Sequence, residues 1–219
     1  GKSENFAASD LLAIGETAES YIALEDGDVG VISSQDYKIY DHSKKQTERK
    51  ILKIDSNLKS ADKGNYRHFM EKEIYEQPQA VLNTLDGRVG GGDVREDIFG
   101  KGSSELFKKV KRIQIVACGT SLHAARVASN WLSSISGIPT QIDYASEYRY
   151  RNPHVDKDSL FVTISQSGET ADTLAALKYS EEKDYLSSVT ICNAPTSSIA
   201  RESKYFFYTN AGPEIGVAS

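Results

Sequence analysis

Two short stretches gather side chains suited to holding a charged ligand: Cys118-Gly119-Thr120-Ser121 and Ser165-Gln166-Ser167-Gly168-Glu169-Thr170. Hydroxyls at Ser121, Ser165, Ser167 and Thr170 can donate to phosphate oxygens, and Gln166 can donate through its amide. Neither stretch contains Lys or Arg. Gly119 and Gly168 let the backbone turn tightly and bring N–H groups close to a ligand. Each stretch runs into a helix-like pattern, whose first N–H groups lack intrahelical partners and carry partial positive charge. Together these features hold a phosphate monoester firmly enough to orient it, without a formal cation and without trapping it. Ser and Thr also cap helices. Capping uses one side chain per helix, however, and here the hydroxyls are clustered.

Positioning such turns requires strands before them and helices after them, and from about residue 104 the sequence repeats that order. "RIQIVA" is a β-branched run, followed by "CGTS" and by "LHAARVASNWLSSIS", in which Ala125, Val127, Ala128, Trp131 and Leu132 predict an inward helical face. "TQIDYA" reads as a strand and "SEYRYRN" as a short helix. "SLFVTI", "SQSGET" and "ADTLAALKYSEEK" repeat strand, turn and helix, as do "SSVTIC", "NAPTSS" and "IARES", and "YFFYTN" adds a strand. Near-continuous apolar strands alternating with helices predict a parallel sheet covered on both faces. With right-handed crossovers this is a doubly wound α/β domain, whose ligands bind at the carboxyl ends of the strands. That rule brings "CGTS" and "SQSGET" to one edge.

The rest of the chain differs. Residues 1 to about 58 hold short runs such as "YIALEDGDVGVI" and "YKIYDH" with turns between them, which predicts antiparallel sheet. Residues 59 to about 100 carry Phe69, Ile74, Val81, Leu82 and Leu85 at roughly helical spacing. Pro78 predicts that one helix ends near Gln77 and another begins there. Phe69, Met70 and Ile74 predict a stripe docked on the α/β domain. "DGRVGGGDV" predicts an exposed loop.

Bulk properties exclude several classes. A net charge of -5 with no strongly basic stretch argues against nucleic acid as the main partner. No apolar run reaches the length of a membrane span. Cys118 and Cys192, both in strand-like contexts, fit a reduced cytosolic setting better than a disulfide scaffold. His42, His68, His123 and His154 show no paired metal-ligand spacing. "GKS" at the first three residues lacks the glycine and strand of a P-loop. Cys118 reads as a core-strand cysteine without a base beside it. Glu169, Asp172 and Glu214 read as acidic groups at helix starts. A doubly wound nucleotide-binding domain is disfavoured, since no Gly-x-Gly-x-x-Gly follows a strand.

The order "ACGTS", "SQSGETADTLAAL", "ICNAPTSSIARES" and "TNAGPEIGVAS" resembles the first sugar isomerase (SIS) domain of the glutamine–fructose-6-phosphate aminotransferase (isomerizing) family. "DKGNYRHFMEKEIYEQP" is similar to that family's interdomain linker, and "ENFAASD" to the late part of its glutaminase domain. The resemblance implies an end of a glutaminase domain at 1–58, a linker at 59–103 and a first SIS domain at 104–219. It implies phosphate binding by Ser121, Ser165, Gln166, Ser167 and Thr170, and sugar contacts by Thr120, the backbone around Val217, and Ser219.

The activity it implies is formation of glucosamine 6-phosphate from fructose 6-phosphate and glutamine, in a cytoplasmic homodimer without cofactor or metal, and without nucleic acid or membrane. The family's nucleophilic cysteine and its acid/base groups correspond to no position here. The expectation is therefore a segment of a longer enzyme that binds the sugar phosphate and does not turn over alone. The alternative is a stand-alone SIS module that binds a sugar phosphate as a regulatory ligand. The strand-rich, acidic segment ahead of the SIS motifs disfavours it, where a regulator would carry a DNA-binding helix-turn-helix.

Overall fold

The computed structural model describes residues 4–8, 14, 17–54, 63–95 and 97–216. The chain divides into two compact units, Gly1–Asn65 and Tyr66–Ser219. In the first, β1 (Ser20–Ile22), β2 (Val29–Ile32), β3 (Tyr37–Tyr40), β4 (Gln46–Thr47) and β5 (Ile51–Lys53) form two antiparallel sheets. β1 pairs with β5, while β2, β3 and β4 form a meander in that order. Gly27, at φ +85°, makes the turn ahead of β2, with the Cβ of His42 3.0 Å from where its own would lie. Asp28 is the charged anchor of this unit. Its carboxylate receives two hydrogen bonds from Arg49, each 2.9 Å, and one of 2.9 Å from the Glu25 amide.

The second unit opens with α1 (Phe69–Leu85), a helix that continues through Pro78. The expected break does not occur. An internal proline removes one i→i−4 hydrogen bond, and Glu76, Gln77, Gln79 and Ala80 around it are helix formers that carry the segment across. Met70 and Ile74 stay 43% and 55% exposed, so the expected docked stripe is not buried in this unit. The helix is held by polar contacts instead. The supposed loop after it contains a small hairpin, β6 (Val89–Gly90) against β7 (Asp93–Val94). The compact unit thus begins at Tyr66, within the segment read as linker.

The remaining elements are α2 (Ser103–Phe107), β8 (Arg112–Ala117), α3 (Gly119–Trp131), β9 (Thr140–Tyr144), α4 (Ala145–Tyr148), β10 (Ser159–Ser165), α5 (Ala171–Glu181), β11 (Ser187–Cys192), α6 (Ser198–Glu202) and β12 (Tyr205–Tyr208). The five strands are parallel, in the order β12-β11-β10-β8-β9. Alternation along each strand sends side chains to opposite faces. Ile113, Ile115, Leu160, Val162 and Val189 pack with Ala125 of α3 on one face. Val116 and Phe161 pack with Tyr148, Ala176, Leu177 and Ile199 of α4, α5 and α6 on the other. The sheet is therefore covered on both sides, the doubly wound α/β arrangement that its apolar strands predict.

α3 matches its expected inward face in part, with Ala125 buried and Leu132 packed against the core. Leu122 and Ala125 are buried, but Val127 is 50% and Trp131 63% exposed. The helix packs on the sheet through Leu122 and Ala125. Val127 and Trp131 fall on the opposite side. A π-turn over Leu132–Ser136 then ends it at Gly137.

Candidate functional site

In a parallel sheet of this order, the crossovers reverse direction between β8 and β10, and their carboxyl ends leave a crevice. The turns after these two strands are the two hydroxyl-bearing stretches, Cys118–Ser121 and Ser165–Thr170. Register fixes them side by side, because Ile164 of β10 pairs with Ala117 of β8. Gly119 takes φ +56° at the start of α3 and Gly168 takes φ +66° in the second turn. Both are values that side chains rarely adopt.

The second turn is built from the strand outward. Ser165, buried at the end of β10, accepts a hydrogen bond on Oγ from the Gly168 amide at 3.0 Å, and lies 3.2 Å from Thr170 Oγ1. Ser167 is exposed, and its Oγ accepts from the Glu169 amide at 3.3 Å. Gly168 rests on α6. A Cβ there would lie 2.1 Å from Ser197 Oγ and 2.7 Å from Cys192 Sγ, so only glycine lets the turn sit this close. The Gly168 carbonyl accepts from the Ile199 amide at 3.1 Å, and Ser197 Oγ accepts from the Ala200 amide at 3.4 Å. The Glu169 carboxylate accepts from the Ser198 amide at 2.8 Å. Read from sequence as an acid favouring its own helix, Glu169 instead ties the turn to a different helix.

Thr170 and Cys118 occupy the N-cap positions of α5 and α3, yet neither side chain bonds an amide of its helix. Within the turn, Ser165 and Thr170 bond each other, and Ser165 accepts from the Gly168 amide, rather than bonding the first turn of α5. The cluster is thus a loop scaffold at two uncapped helix starts, an arrangement that can receive an anion. Thr120 is exposed and Ser121 and Gln166 are half-buried at the same edge. Val217 and Ser219 lie outside the described residues.

Cys192 closes β11 beneath the turn, 1% exposed, and burial pushes its thiol up from the ordinary range. That suits a floor rather than a nucleophile. Cys118 is half-buried at the entry to α3, not a fully buried strand residue. His68 is exposed just ahead of α1 and His123 is exposed on α3, and no group of three His, Cys, Asp or Glu able to hold a metal occurs among the described residues. Among those residues no helix is long and apolar enough to cross a membrane.

Comparison with known proteins adds an independent finding. Residues 106–219 match the SIS domain family. Over its whole length the chain is 52% identical to glutamine–fructose-6-phosphate aminotransferase (isomerizing) of Pseudomonas aeruginosa and 49% identical to that of Legionella pneumophila strain Paris. It spans 36% of the length of each. Among solved structures it is similar to the C-terminal domain of glucosamine-fructose-6-phosphate aminotransferase from Francisella tularensis. The TM-score is 0.70 at 52% identity, with 73% of this chain and 44% of that one covered. Glucosamine-6-phosphate deaminase from Thermotoga maritima shares the fold at TM-score 0.55 and 19% identity, over 69% of this chain and 43% of that one.

Proposed function

Because the chain belongs to the SIS domain family, we propose that the turns after β8 and β10 bind the phosphate of fructose 6-phosphate. The chain then serves as part of an enzyme that uses glutamine to make glucosamine 6-phosphate. The observation that carries this reading is the pair of uncapped helix starts at the crevice between β8 and β10, one opening on the positive-φ Gly119 and the other preceded by the positive-φ Gly168. Near-50% identity along the full chain to relatives named for that reaction supports the choice of substrate. In this reading Ser121, Ser165, Gln166, Ser167 and Thr170 hold the phosphate, while Thr120, Val217 and Ser219 face the sugar. Residues 1–58, 59–103 and 104–219 are the glutaminase end, the linker and the first SIS domain. The whole enzyme acts as a homodimer in the cytoplasm.

The chain's own contribution is orientation. Hydroxyls and amides fix the phosphate at one end of the crevice, which sets where the sugar carbons lie and shields that end from water. Calorimetry with fructose 6-phosphate and with fructose tests it. Ser167→Ala and Thr170→Ala each remove a donor to a charged acceptor, at about 1.5–3 kcal/mol, or roughly tenfold to a hundredfold in Kd. Equal affinity for fructose and its phosphate, or full affinity in the double variant, would reduce the hydroxyls to loop scaffolding.

A further inference from the structure

β12 runs parallel to β11, so residues 209–216 leave the sheet at the same edge as the turns after β8 and β10. They form neither helix nor strand. A segment without a hydrogen-bonded ladder loses much conformational entropy when it is fixed, yet this one is held from two sides.

Asn193, one residue beyond β11, holds the first part with its whole side chain. Its Oδ1 accepts from Thr209 Oγ1 at 3.0 Å and from the Ala211 amide at 2.8 Å. Its Nδ2 donates to the Gly212 carbonyl at 2.6 Å. The Asn193 amide donates to the Gln166 carbonyl at 3.1 Å, so one residue touches both the phosphate turn and this segment. Glu73 of α1 holds the far end. Its Oε1 accepts from the amides of Ile215, at 2.7 Å, and Gly216, at 3.0 Å. Gly216 sits so close that a Cβ would lie 2.5 Å from Glu73 Oε2 and 3.2 Å from Met70 Cα. Farther along α1, Thr84 Oγ1 donates to the Thr209 carbonyl, and just beyond the helix the Arg88 guanidinium lies 4.3 Å from the centre of the Phe207 ring. A carboxylate receiving two backbone amides is a charge-assisted clasp, stronger than a neutral pair.

We propose that Glu73 and Asn193 are positioning residues that fix residues 209–216 as the sugar-facing wall of the site, which makes α1 a structural part of that site. The role rests on the sugar-phosphate reading above. It assigns the two halves of the ligand to different parts of the fold. The turns after β8 and β10 hold the phosphate, and selectivity for the attached sugar depends on a carboxylate outside the sheet.

The test is Glu73→Gln and Glu73→Ala in the complete 219-residue chain, titrated with fructose 6-phosphate and with inorganic phosphate, alongside amide exchange of Ile215 and Gly216. The expected result is roughly tenfold weaker binding of fructose 6-phosphate, with inorganic phosphate changed by no more than about twofold. The two amides should exchange at least about tenfold faster while β10 stays protected. A purely structural role would weaken both ligands together, and that outcome overturns the positioning role, as does unchanged fructose 6-phosphate affinity. Unchanged exchange at Ile215 and Gly216 overturns the clasp itself. Failure of the parent chain to bind either ligand overturns the functional reading, and the positioning role with it, while the exchange rates still decide whether the clasp exists.

Discussion

Replacing Gly168 with alanine puts a methyl group 2.1 Å from Ser197 Oγ, 2.5 Å from Ser197 Cβ and 2.7 Å from Cys192 Sγ, on a backbone at φ +66°. Neither neighbour has room to retreat. Ser197 is 3% exposed and caps α6 through the Ala200 amide, and Cys192 is 1% exposed at the end of β11. The positive φ costs roughly 1–2 kcal/mol for a residue with a Cβ, and the overpacking adds about 1–3 kcal/mol. The expected loss is therefore about 2–5 kcal/mol. Gly119→Ala isolates the backbone share, because Gly119 has φ +56° and nothing within 4 Å of its added methyl. That variant should lose only about 1–2 kcal/mol. Urea unfolding followed by helical circular dichroism reads the right unit, since every described helix lies within Tyr66–Ser219, and midpoints at a common slope give the difference. Equal losses in the two variants would refute the claim that close contact with α6 shapes the turn after β10. Gly168→Ala should also abolish fructose 6-phosphate binding under conditions where it is still folded.

Two titrations check the electrostatics. The Asp28 carboxyl is held at about 2, first by its hydrogen bond from Arg49 and then by the Glu25 amide, so its contribution to stability is full above the ordinary carboxylate range and is lost as pH falls from about 4 to about 2. Carbon-detected NMR of the Asp28 carboxyl near neutral-to-acid pH should show that low midpoint, and a midpoint near 4 contradicts it. Burial, then the 2.6 Å contact with Tyr185, raises the ionisation of the fully buried Tyr148 phenol, so its contribution is full below pH ~10 and is lost as pH rises beyond that value. Ultraviolet titration should find this tyrosine silent until the chain unfolds, and Tyr148→Phe should cost about 1 kcal/mol by stranding the Tyr185 hydroxyl.

The sheet, and the placing of both hydroxyl-bearing turns at one edge of it, were legible because both depend on local pattern. Continuous apolar runs mark β8, β10 and β11, and a hydroxyl-rich turn with glycine marks the carboxyl end of a strand. Periodicity placed Ala125 and Leu132 of α3 correctly but put Val127 and Trp131 on the buried face, where Leu122 packs instead. Pro78 was read as a boundary because propensity weighs one residue against its neighbours and not against a whole helix. The residues that shape the site were the least visible. Glu169 meets Ser198 across 29 positions, Asn193 meets Ala211 across 18, and Glu73 meets Ile215 across 142. In sequence each is an ordinary polar residue, and only the fold supplies its partner.

The proline within α1 has a mechanical consequence. At 17 residues the helix is about 25 Å long, and Pro78 interrupts its hydrogen-bond ladder near the middle. Glu73 lies on one side of that joint, gripping Ile215 and Gly216, and Thr84 lies on the other, gripping Thr209. Helix and segment thus form a closed frame with a weak point in one beam. A bend at the joint changes the spacing between the two grips, so it must stretch or slacken the strap at the strand edge. A straight helix acts as a ruler that sets the strap's length.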